Sequence, residues 1–440
     1  MTAKHALPSM NALWMPFTAN RRYKRDPIMF EAAHGMHYVL AGGRRVLDAT
    51  AGLWCVNAGH GRESIADAIA AQSRKLQYIS TFQVGHPLAF EFAERLADLA
   101  PGDLNHVFFT NSGSESVDTA LKIALAYHKA LGNGGRTRFI GRERAYHGTG
   151  FGGLSVGGIG VHRRPFGHLL PGVDHLPHTY DHRQQAFSNG EPSWGAHLAE
   201  DLVRLIQLHD ASTIAAVIVE PVAGSTGVLP PPAGYLKRLR EICDQHGILL
   251  IFDEVITAFG RLGHAFAAER FGVQPDLITC AKGLTNGAIP MGAVIVDRKI
   301  HEAIVQGPEN SIELPHGYTY SGHPVACAAG LASLDLYLGE RLFERSAALE
   351  TFWADRAHAL KGLPNIRDIR TIGLLAAIEF EPRPGGPGQR AYETMRKALE
   401  KGLLVRTSGD QILLSPPLVV REDQIDEMFG VLADVVAALD

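Results

Sequence analysis

The chain has 440 residues, which at roughly 150 residues per domain is enough for about two or three domains and a large buried core. Hydrophobic residues make up 46% of it and charged residues 20%, which are the proportions of a folded globular protein and exclude a disordered chain. The 42 basic and 46 acidic side chains nearly balance, so the charge predicts neither a nucleic-acid partner nor a membrane partner. A small-molecule substrate is the expected ligand.

The cysteines are far apart in sequence and form no CxxC pair, which predicts reduced core thiols in a cytoplasmic protein and not a disulfide framework. They are Cys55, Cys243, Cys280 and Cys327. Residues 1–27 lack the apolar core of a signal peptide, and no stretch approaches about 18 consecutive apolar residues. We therefore expect neither export nor a membrane span.

From about residue 62, short apolar runs alternate with amphipathic helical stretches, which predicts parallel strands joined by helices and hence an α/β fold. Nearly continuous apolar runs are typical of strands that are covered on both faces. The predicted strands are 105–110, 137–140, 213–219, 248–253, 276–280 and 292–296. Helices are predicted over 114–131 and over about 233–246, the second ending before Gly247.

Beyond Gly330 the pattern changes to longer amphipathic helices and two short strands, LLAAIEF and ILLSPPL, with a loop over 381–390. Residues 1 to about 60 contain the extended segments HYVLAG and RRVLDA, which are too few for a core of their own. We expect a large domain over 61–330, and a small domain in which residues 1–60 join residues 331–440.

Polar residues follow the predicted strands directly. In open α/β sheets ligands bind beyond the carboxyl ends of the strands, so these residues are expected to share one cleft. They are Asn111-Ser112-Gly113-Ser114-Glu115, Tyr146-His147-Gly148, Glu220-Pro221, Asp253-Glu254 and Ala281-Lys282-Gly283. Such a cleft offers a phosphate site, an aromatic ring, carboxylates and an amine.

Each of these groups also has a purely structural interpretation. The turn at Ser112–Ser114 could present backbone N–H groups to a phosphate or simply cap the next helix, and Asp253 could also be a helix cap. Lys282 directly follows an apolar strand and is flanked by small residues. It could be a desolvated nucleophile with a lowered pKa, or a surface lysine.

Taken together, the groups fit pyridoxal 5′-phosphate. This cofactor needs a Schiff-base lysine, a carboxylate at its pyridine nitrogen and a phosphate cup. Lys282 and Asp253 would supply the first two, and Tyr146 could stack on the ring. We expect catalysis to depend on Lys282 and Asp253.

Two further patterns suggest other sites. Gly148, Gly150 and Gly153 match the spacing of a dinucleotide fingerprint, but they do not directly follow a strand, so a nicotinamide site is disfavoured. His175, His178 and His182 have a spacing that metal ligands can have, but they lie in a predicted loop that contains a proline. A packing or surface role is expected for these histidines, and no metal.

Longer motifs show a resemblance to a known family. The segments WMPFTANR, HVFFTNSGSE, EPVAGSTGVLPPPAGYLK, LIFDEVITAFGR, AKGLTNGAIPMGAV, HGYTYSGHPVACAAG and VRTSGD span nearly the whole chain. In these the sequence resembles the class III pyridoxal-phosphate aminotransferases, and most closely their ω-amino acid:pyruvate (β-alanine:pyruvate) branch. The resemblance implies fold type I of the pyridoxal-phosphate enzymes, with a mostly parallel central sheet in the large domain and a smaller α+β domain.

The resemblance also implies a role for individual residues. Lys282 corresponds to the Schiff-base lysine and Asp253 to the partner of the pyridine nitrogen. The remaining cofactor-binding positions would be Ser112, Gly113 and Ser114 at the phosphate, Tyr146 and Val255 on the two ring faces, and His147 and Glu220 nearby. Thr319 would reach the phosphate of the neighbouring subunit, which implies a homodimer and leaves open whether dimers pair into tetramers.

Substrate contacts are implied in the same way. Trp54, Phe82 and Tyr146 would form apolar walls, and Arg406 would receive the substrate carboxylate. The family often has glutamine seven residues beyond this arginine, where the chain has Leu413. The expected reaction moves an amino group from an ω-amino acid or amine to pyruvate. A 2-oxoglutarate-dependent aminotransferase, a nicotinamide dehydrogenase and a catalytically silent scaffold are the alternatives.

Overall fold

A computed structural model describes residues 9–439. The first eight residues, which belong to the segment predicted to lack a signal peptide, and the last residue lie outside the described part. Within it, the strands in chain order are β1 (Phe30–His34), β2 (His37–Leu40), β3 (Arg45–Asp48), β4 (Leu104–Thr110), β5 (Arg138–Arg142), β6 (Val173–Leu176), β7 (Ile214–Val219), β8 (Leu249–Asp253), β9 (Leu277–Cys280), β10 (Gly292–Asp297), β11 (Ile366–Ile372), β12 (Leu375–Phe380), β13 (Leu403–Leu404), β14 (Arg406–Ser408) and β15 (Gln411–Leu414).

Helices connect most of these strands. They are α1 (Asn20–Arg25), α2 (Ala51–Trp54), α3 (Glu63–Lys75), α4 (Pro87–Leu99), α5 (Gly113–Ala130), α6 (Phe151–Val156), α7 (Gly160–Arg163), α8 (His182–Gln185), α9 (Asp201–His209), α10 (Tyr235–His246), α11 (Ala267–Phe271), α12 (Arg298–Ile304), α13 (Pro324–Gly339), α14 (Leu342–His358), α15 (Gln389–Glu400) and α16 (Glu422–Ala437). Short 3₁₀ turns occur at Arg164–Phe166, Ala196–Glu200, Ala211–Thr213 and Lys282–Thr285. Among residues 9–439, no helix combines the length and the apolar character needed to cross a membrane.

The central sheet has the strand order β4-β10-β9-β8-β7-β5-β6. Strands β5 to β9 are all parallel to one another, whereas β10 is antiparallel to both of its neighbours, β9 and β4. Because β10 reverses direction on each side, β4 runs in the same direction as the parallel strands. The carboxyl ends of six strands therefore meet at one edge, and the predicted α/β class with a mostly parallel sheet is confirmed.

Both faces of this sheet are covered, as the apolar runs predict. In β8, Leu249 and Ile251 belong to the same buried cluster as Val117 of α5. Leu250 and Phe252, which point the opposite way along the strand, belong to the main core of the molecule. A strand that is buried on both faces can be apolar at every position, and so the sequence pattern shows no alternation.

The terminal segments of the chain pair with each other. Leu403 of β13 lies beside Leu47 of β3 in parallel pairing, which completes a four-stranded sheet in the order β1-β2-β3-β13. A second four-stranded sheet has the order β11-β12-β15-β14. The expected α+β unit built from both ends of the chain is therefore present.

Two expectations about single regions need correction. The segment around His175 is not wholly a loop, since His175 lies in β6 at the edge of the central sheet and His182 begins α8. Cys55 is half-buried, unlike the other three cysteines, which are buried as expected. All four cysteines are free thiols.

Candidate active site

A cleft opens at the edge where the strands end. Its walls come from the segments after β4, β5, β7, β8 and β9, because parallel strands deliver their following residues to the same edge. The lining residues are Gly113, Ser114, Tyr146, His147, Gly148, Glu220, Asp253, Val255, Ile256, Ala281 and Lys282. The structure thus brings together eight of the site residues predicted from the sequence.

The N-terminus of α5 forms one end of the cleft. Ser112 caps this helix by accepting a hydrogen bond from the Glu115 N–H at 3.2 Å, so the capping interpretation is confirmed. The N–H groups of Gly113 and Ser114 have no partner within the helix, because they lie in its first turn. The Ser114 hydroxyl accepts a hydrogen bond from the Thr149 N–H at 3.0 Å. Two N–H donors without a partner in the helix and the positive end of the helix dipole favour an anion here.

Gly113 lies closely against Val255, two residues beyond Asp253. A Cβ atom at position 113 would be 2.9 Å from both methyl carbons of Val255, which is closer than carbon atoms pack. Glycine therefore lets the start of α5 approach Val255 without a side chain between them. The result is a narrow cradle with donors at one end and an apolar side chain at its wall.

Asp253 is the last residue of β8, and its carboxylate is held from several directions. Oδ2 contacts Nδ1 of His147 at 2.8 Å, and Oδ1 accepts hydrogen bonds from the Val255 N–H and the Thr279 hydroxyl. No helix begins at Asp253, so the capping alternative for this residue is wrong. His147 is buried, and within the described residues its Nε2 atom has no hydrogen-bond partner. The contact with His147 therefore holds the carboxylate of Asp253 in a fixed orientation.

Glu220 follows β7 and is buried beside this pair. One of its oxygens accepts from the Tyr146 N–H at 2.9 Å and the other accepts from the Gly224 N–H at 3.2 Å. Burial raises the pKa of Glu220 to about 7, and the charge of Asp253 adds to this while His147 opposes it. The carboxyl group thus fixes the backbone that carries Tyr146.

Lys282 lies immediately beyond β9, at the start of a 3₁₀ turn. Burial lowers the pKa of its amine, although Cys55, Asp253 and Glu220 partly oppose the shift. A lysine with a lowered pKa has a larger fraction of the neutral amine that can act as a nucleophile. Its φ angle of +48° places it in the left-handed region, a strained conformation for a side-chain-bearing residue that is concentrated at functional sites. The surface-lysine alternative is therefore wrong.

Trp54 and Arg406 form a pair near the cleft. The Arg406 guanidinium carbon lies 5.0 Å from the centre of the Trp54 ring, within cation–π range. Burial lowers the pKa of Arg406, and the nearby Tyr146 opposes that shift. Among residues 9–439, no carboxylate forms an ion pair with Arg406. Arg406 is exposed at the start of β14, so its guanidinium lies beside the Trp54 ring, open to solvent, and has no anionic partner within the described residues.

Whereas Ser112, Trp54 and Arg406 adjoin this cleft, two other predicted residues lie away from it. Thr319 is exposed, and its carbonyl accepts a hydrogen bond from the Tyr78 hydroxyl at 2.9 Å. Phe82 is also exposed and lies against Gly317 in a separate groove. Both residues lie on the same outer face of the chain.

The two competing patterns in the sequence have structural explanations. Gly148 and Gly153 pack against α5, where the Gly153 N–H donates to Asp118 and a Cβ at Gly148 would collide with Ser114. Within the described residues, no group of three or more histidine, cysteine or acidic side chains could hold a metal ion. His175 instead accepts a hydrogen bond from Arg163.

Sequence reasoning missed several supporting residues. Thr279 fixes Asp253, Thr149 contacts Ser114, and Ile256 lines the cleft beside Val255. Thr279 did leave a signal, because it is the one hydroxyl residue in the apolar strand that precedes Lys282. Thr149 and Ile256 are ordinary in their local sequence and become part of the site only through the fold.

The residues of the cleft suit pyridoxal phosphate. The free donors at the start of α5 match a phosphate, and the glycine cradle at Gly113 leaves space between the helix and Val255. An oriented carboxylate, Asp253, and an amine whose pKa burial lowers, Lys282, both line the cleft. This donor set matches a cofactor with a phosphate, a basic ring nitrogen and a carbonyl group that reacts with an amine.

Known proteins resemble this chain over almost its full length. The family model described as Aminotransferase class-III matches residues 18–436. An ω-aminotransferase of Caulobacter vibrioides is 59% identical over 98% of each chain. A β-alanine–pyruvate aminotransferase of Pseudomonas aeruginosa is 50% identical over 97% of this chain and 95% of its own.

Solved transaminase structures have the same fold as this chain. An amine transaminase from an uncultivated Pseudomonas species, solved with pyridoxal phosphate bound, has a TM-score of 0.90 and 38% identity over 97% of this chain and 98% of its own. An ω-transaminase from Thermomicrobium roseum has a TM-score of 0.89 and 37% identity over 96% and 95%. The chain therefore belongs to the class III aminotransferase family.

Proposed function

We propose that this enzyme uses pyridoxal phosphate to move an amino group from an ω-amino acid, such as β-alanine, or from an amine to pyruvate, giving alanine and an aldehyde or ketone. The observation that carries the proposal is the unpaired guanidinium of Arg406 beside the cleft that contains Lys282 and Asp253. The names of the relatives from Caulobacter vibrioides and Pseudomonas aeruginosa support the reaction type and the substrates.

The chain would hold the cofactor through groups already in position. The N–H groups of Gly113 and Ser114, next to the Ser112 cap, would bind the phosphate. Tyr146 and Val255 would cover the two faces of the ring. The carboxylate of Asp253, oriented by His147, would keep the pyridine nitrogen protonated. When bound, the cofactor supplies an electron sink for the pair of electrons left behind when a proton leaves the substrate carbon.

Lys282 has two tasks in this scheme. Its amine would hold the cofactor between turnovers, and burial, which lowers the pKa of this amine, favours the neutral form that can act as a base. With the cofactor bound, the Nζ atom of Lys282 would take the proton from the substrate carbon and hold it for its return. Glu220 supports this geometry by fixing the backbone of Tyr146.

Arg406 explains how one pocket serves two kinds of substrate. A guanidinium binds a carboxylate through two parallel hydrogen bonds, which suits pyruvate and ω-amino acids. No ion pair within the described chain has to be broken for this binding. The apolar walls formed by Trp54 and Tyr146 accept the carbon chain of an amine that has no carboxylate.

The proposal includes a homodimer. Thr319 and Phe82 lie away from the cleft of their own chain, on a face that exposes the apolar side chains Val84, Phe90 and Tyr320. Phe90 alone has 72% of its surface exposed. A contiguous apolar face of this kind is typical of a protein interface. In a homodimer Thr319 would reach the partner's phosphate site and Phe82 would line the partner's substrate pocket.

Two broader assignments complete the proposal. Residues 61–330 form the large cofactor-binding domain, and residues 1–60 and 331–440 form the small domain. The location is the cytoplasm, which agrees with the free thiols of the described chain.

An acceptor assay tests the proposed reaction. The purified holoenzyme is incubated with β-alanine or an amine and either pyruvate or 2-oxoglutarate, and the amino acid formed is measured. We expect alanine from pyruvate and little glutamate from 2-oxoglutarate. Glutamate as the main product would establish the 2-oxoglutarate-dependent alternative, and no product with either acceptor would indicate a scaffold without this activity.

A further inference from the structure

The strand register places Arg406 at one end of a row of side chains. Across the sheet β11-β12-β15-β14, Arg370 pairs with Ala377, Ala377 with Leu413, and Leu413 with Arg406. Side chains of directly paired residues lie on the same face of a sheet. The two arginines are therefore at opposite ends of one row, with Ala377 and Leu413 between them.

The adjacent row contains the carboxylates on this face. It consists of Asp368, Glu379, Gln411 and Ser408. Asp368 and Glu379 both form ion pairs with Arg370, at 2.5 and 2.8 Å. The Gln411 amide also donates to Glu379 at 3.1 Å. The acidic groups are thus engaged at the far end of the sheet, around Arg370.

The middle of the row is apolar and dry. Leu413 is 1% exposed and packs in one cluster with Trp54, Val222 and Ile256. Ile256 also lines the cofactor cleft, so the apolar surface continues from the cleft to the base of Arg406. Leu413 offers Arg406 no hydrogen-bond acceptor, and the Trp54 ring is the contact that remains.

We propose that Leu413 is a specificity-determining positioning residue, which keeps Arg406 free of an intramolecular acceptor so that its guanidinium is available to a substrate carboxylate. This inference rests on the proposed function of Arg406. The side chain of Leu413 acts through Arg406 and does not itself contact the substrate. Because Leu413 forms no hydrogen bond with Arg406, the guanidinium can also move out of the substrate pocket when an amine without a carboxylate binds.

Two matched pairs of variants test this role in the holoenzyme. Leu413→Gln and Leu413→Met have similar size, and Leu413→Thr and Leu413→Val form a smaller pair. Within each pair only the polar member offers an acceptor to Arg406. We expect the KM for β-alanine to be roughly fivefold higher in the polar member. The substrate carboxylate must there replace a hydrogen bond between residue 413 and the Arg406 guanidinium. The KM for benzylamine should differ by less than about twofold within each pair.

A binding measurement gives a readout that does not depend on turnover. Titration of the holoenzyme with propionate should show the same roughly fivefold weaker affinity in Leu413→Gln than in Leu413→Met. The Leu413→Gln change made on top of Arg406→Ala should have no further effect, because the partner is gone. If Leu413→Gln does not fold, the threonine and valine pair decides the question.

The possible failures can be told apart. Equal KM values for β-alanine within a pair, while Arg406→Ala alone weakens β-alanine binding, overturn the inference about Leu413. Equal losses for β-alanine and benzylamine in the polar member also overturn it, since they indicate a structural defect. If Arg406→Ala has no effect on β-alanine, the role of Arg406 in the proposed function is wrong as well.

Discussion

Removal of the Arg406 guanidinium should separate the two kinds of substrate. In Arg406→Ala, the half-reactions with β-alanine and with pyruvate lose a charge-assisted contact to the substrate carboxylate. The half-reaction with benzylamine loses nothing comparable, because that substrate has no carboxylate. The change should leave folding nearly intact, since no ion pair of Arg406 exists within the described residues.

The size of the effect follows from the contacts. A bidentate contact between a guanidinium and a carboxylate in a partly dry site contributes about 3 kcal/mol, which corresponds to about 10²-fold in rate. Loss of the cation–π contact with Trp54 costs about 0.5–1 kcal/mol of stability. We therefore expect kcat/KM for β-alanine to fall about 10²-fold, with a change of less than about threefold for benzylamine.

Single-turnover kinetics measure each half-reaction separately through the absorbance of the cofactor. Arg74→Ala, which removes an exposed arginine from the last turn of α3, is the matched control and should behave like the unchanged enzyme. Equal losses with β-alanine and benzylamine would refute the reasoning, because they would show that Arg406 supports the structure of the pocket and does not recognise a carboxylate.

Four further changes test other parts of the structure. Lys282→Ala should lower turnover at least about 10³-fold and abolish the absorbance band of the lysine-bound cofactor; an intact band would contradict the assignment. Asp253→Asn should retain the cofactor but lower kcat at least about 10²-fold, and an unchanged kcat would exclude its role at the ring nitrogen. In the proposed homodimer Thr319 would complete the partner's site, so dissociation of the dimer should release cofactor and activity together, which sedimentation combined with activity measurements checks; active monomers would exclude this. Burial raises the pKa of Glu254 to about 7 from its ordinary 4.5, so its contribution to stability is complete below about pH 4.5 and is lost as the pH rises through 7. Between pH 5 and 8 the free energy of unfolding should therefore fall by up to about 3 kcal/mol more than in Glu254→Gln, and parallel pH profiles in denaturant titrations would contradict this.

The sequence predicted the central strands well because burial on both faces leaves a simple signal. In β7 and β8 almost every residue is apolar, and the predicted bounds differ from the structure by one residue. Strands β6 and β11 were missed because polar and charged residues interrupt their apolar pattern. In β11, Asp368 and Arg370 are fully buried, but they form an ion pair with each other along the strand, and Arg370 also pairs with Glu379 of β12, so a charged segment forms an interior strand.

The position of most cleft residues also follows from the sequence. Parallel strands end at one edge, so residues at or just beyond the ends of these strands must lie there, as Asp253 and Lys282 do. Glycine and small residues around Lys282 further indicated a close approach to a ligand. The sequence therefore determined the family, the cofactor type and the residues at the ends of the strands that line the cleft.

Only the tertiary structure decided which distant residues meet. The contact of His147 with Asp253 and the register of Leu413 beside Arg406 join segments that have no fixed spacing along the chain. The absence of a carboxylate near Arg406 within the described residues is likewise a property of packing, because Asp368 and Glu379 lie on the same sheet but are bound to Arg370. Local sequence sets which strands form, whereas pairing between strands sets which charges remain free for a substrate.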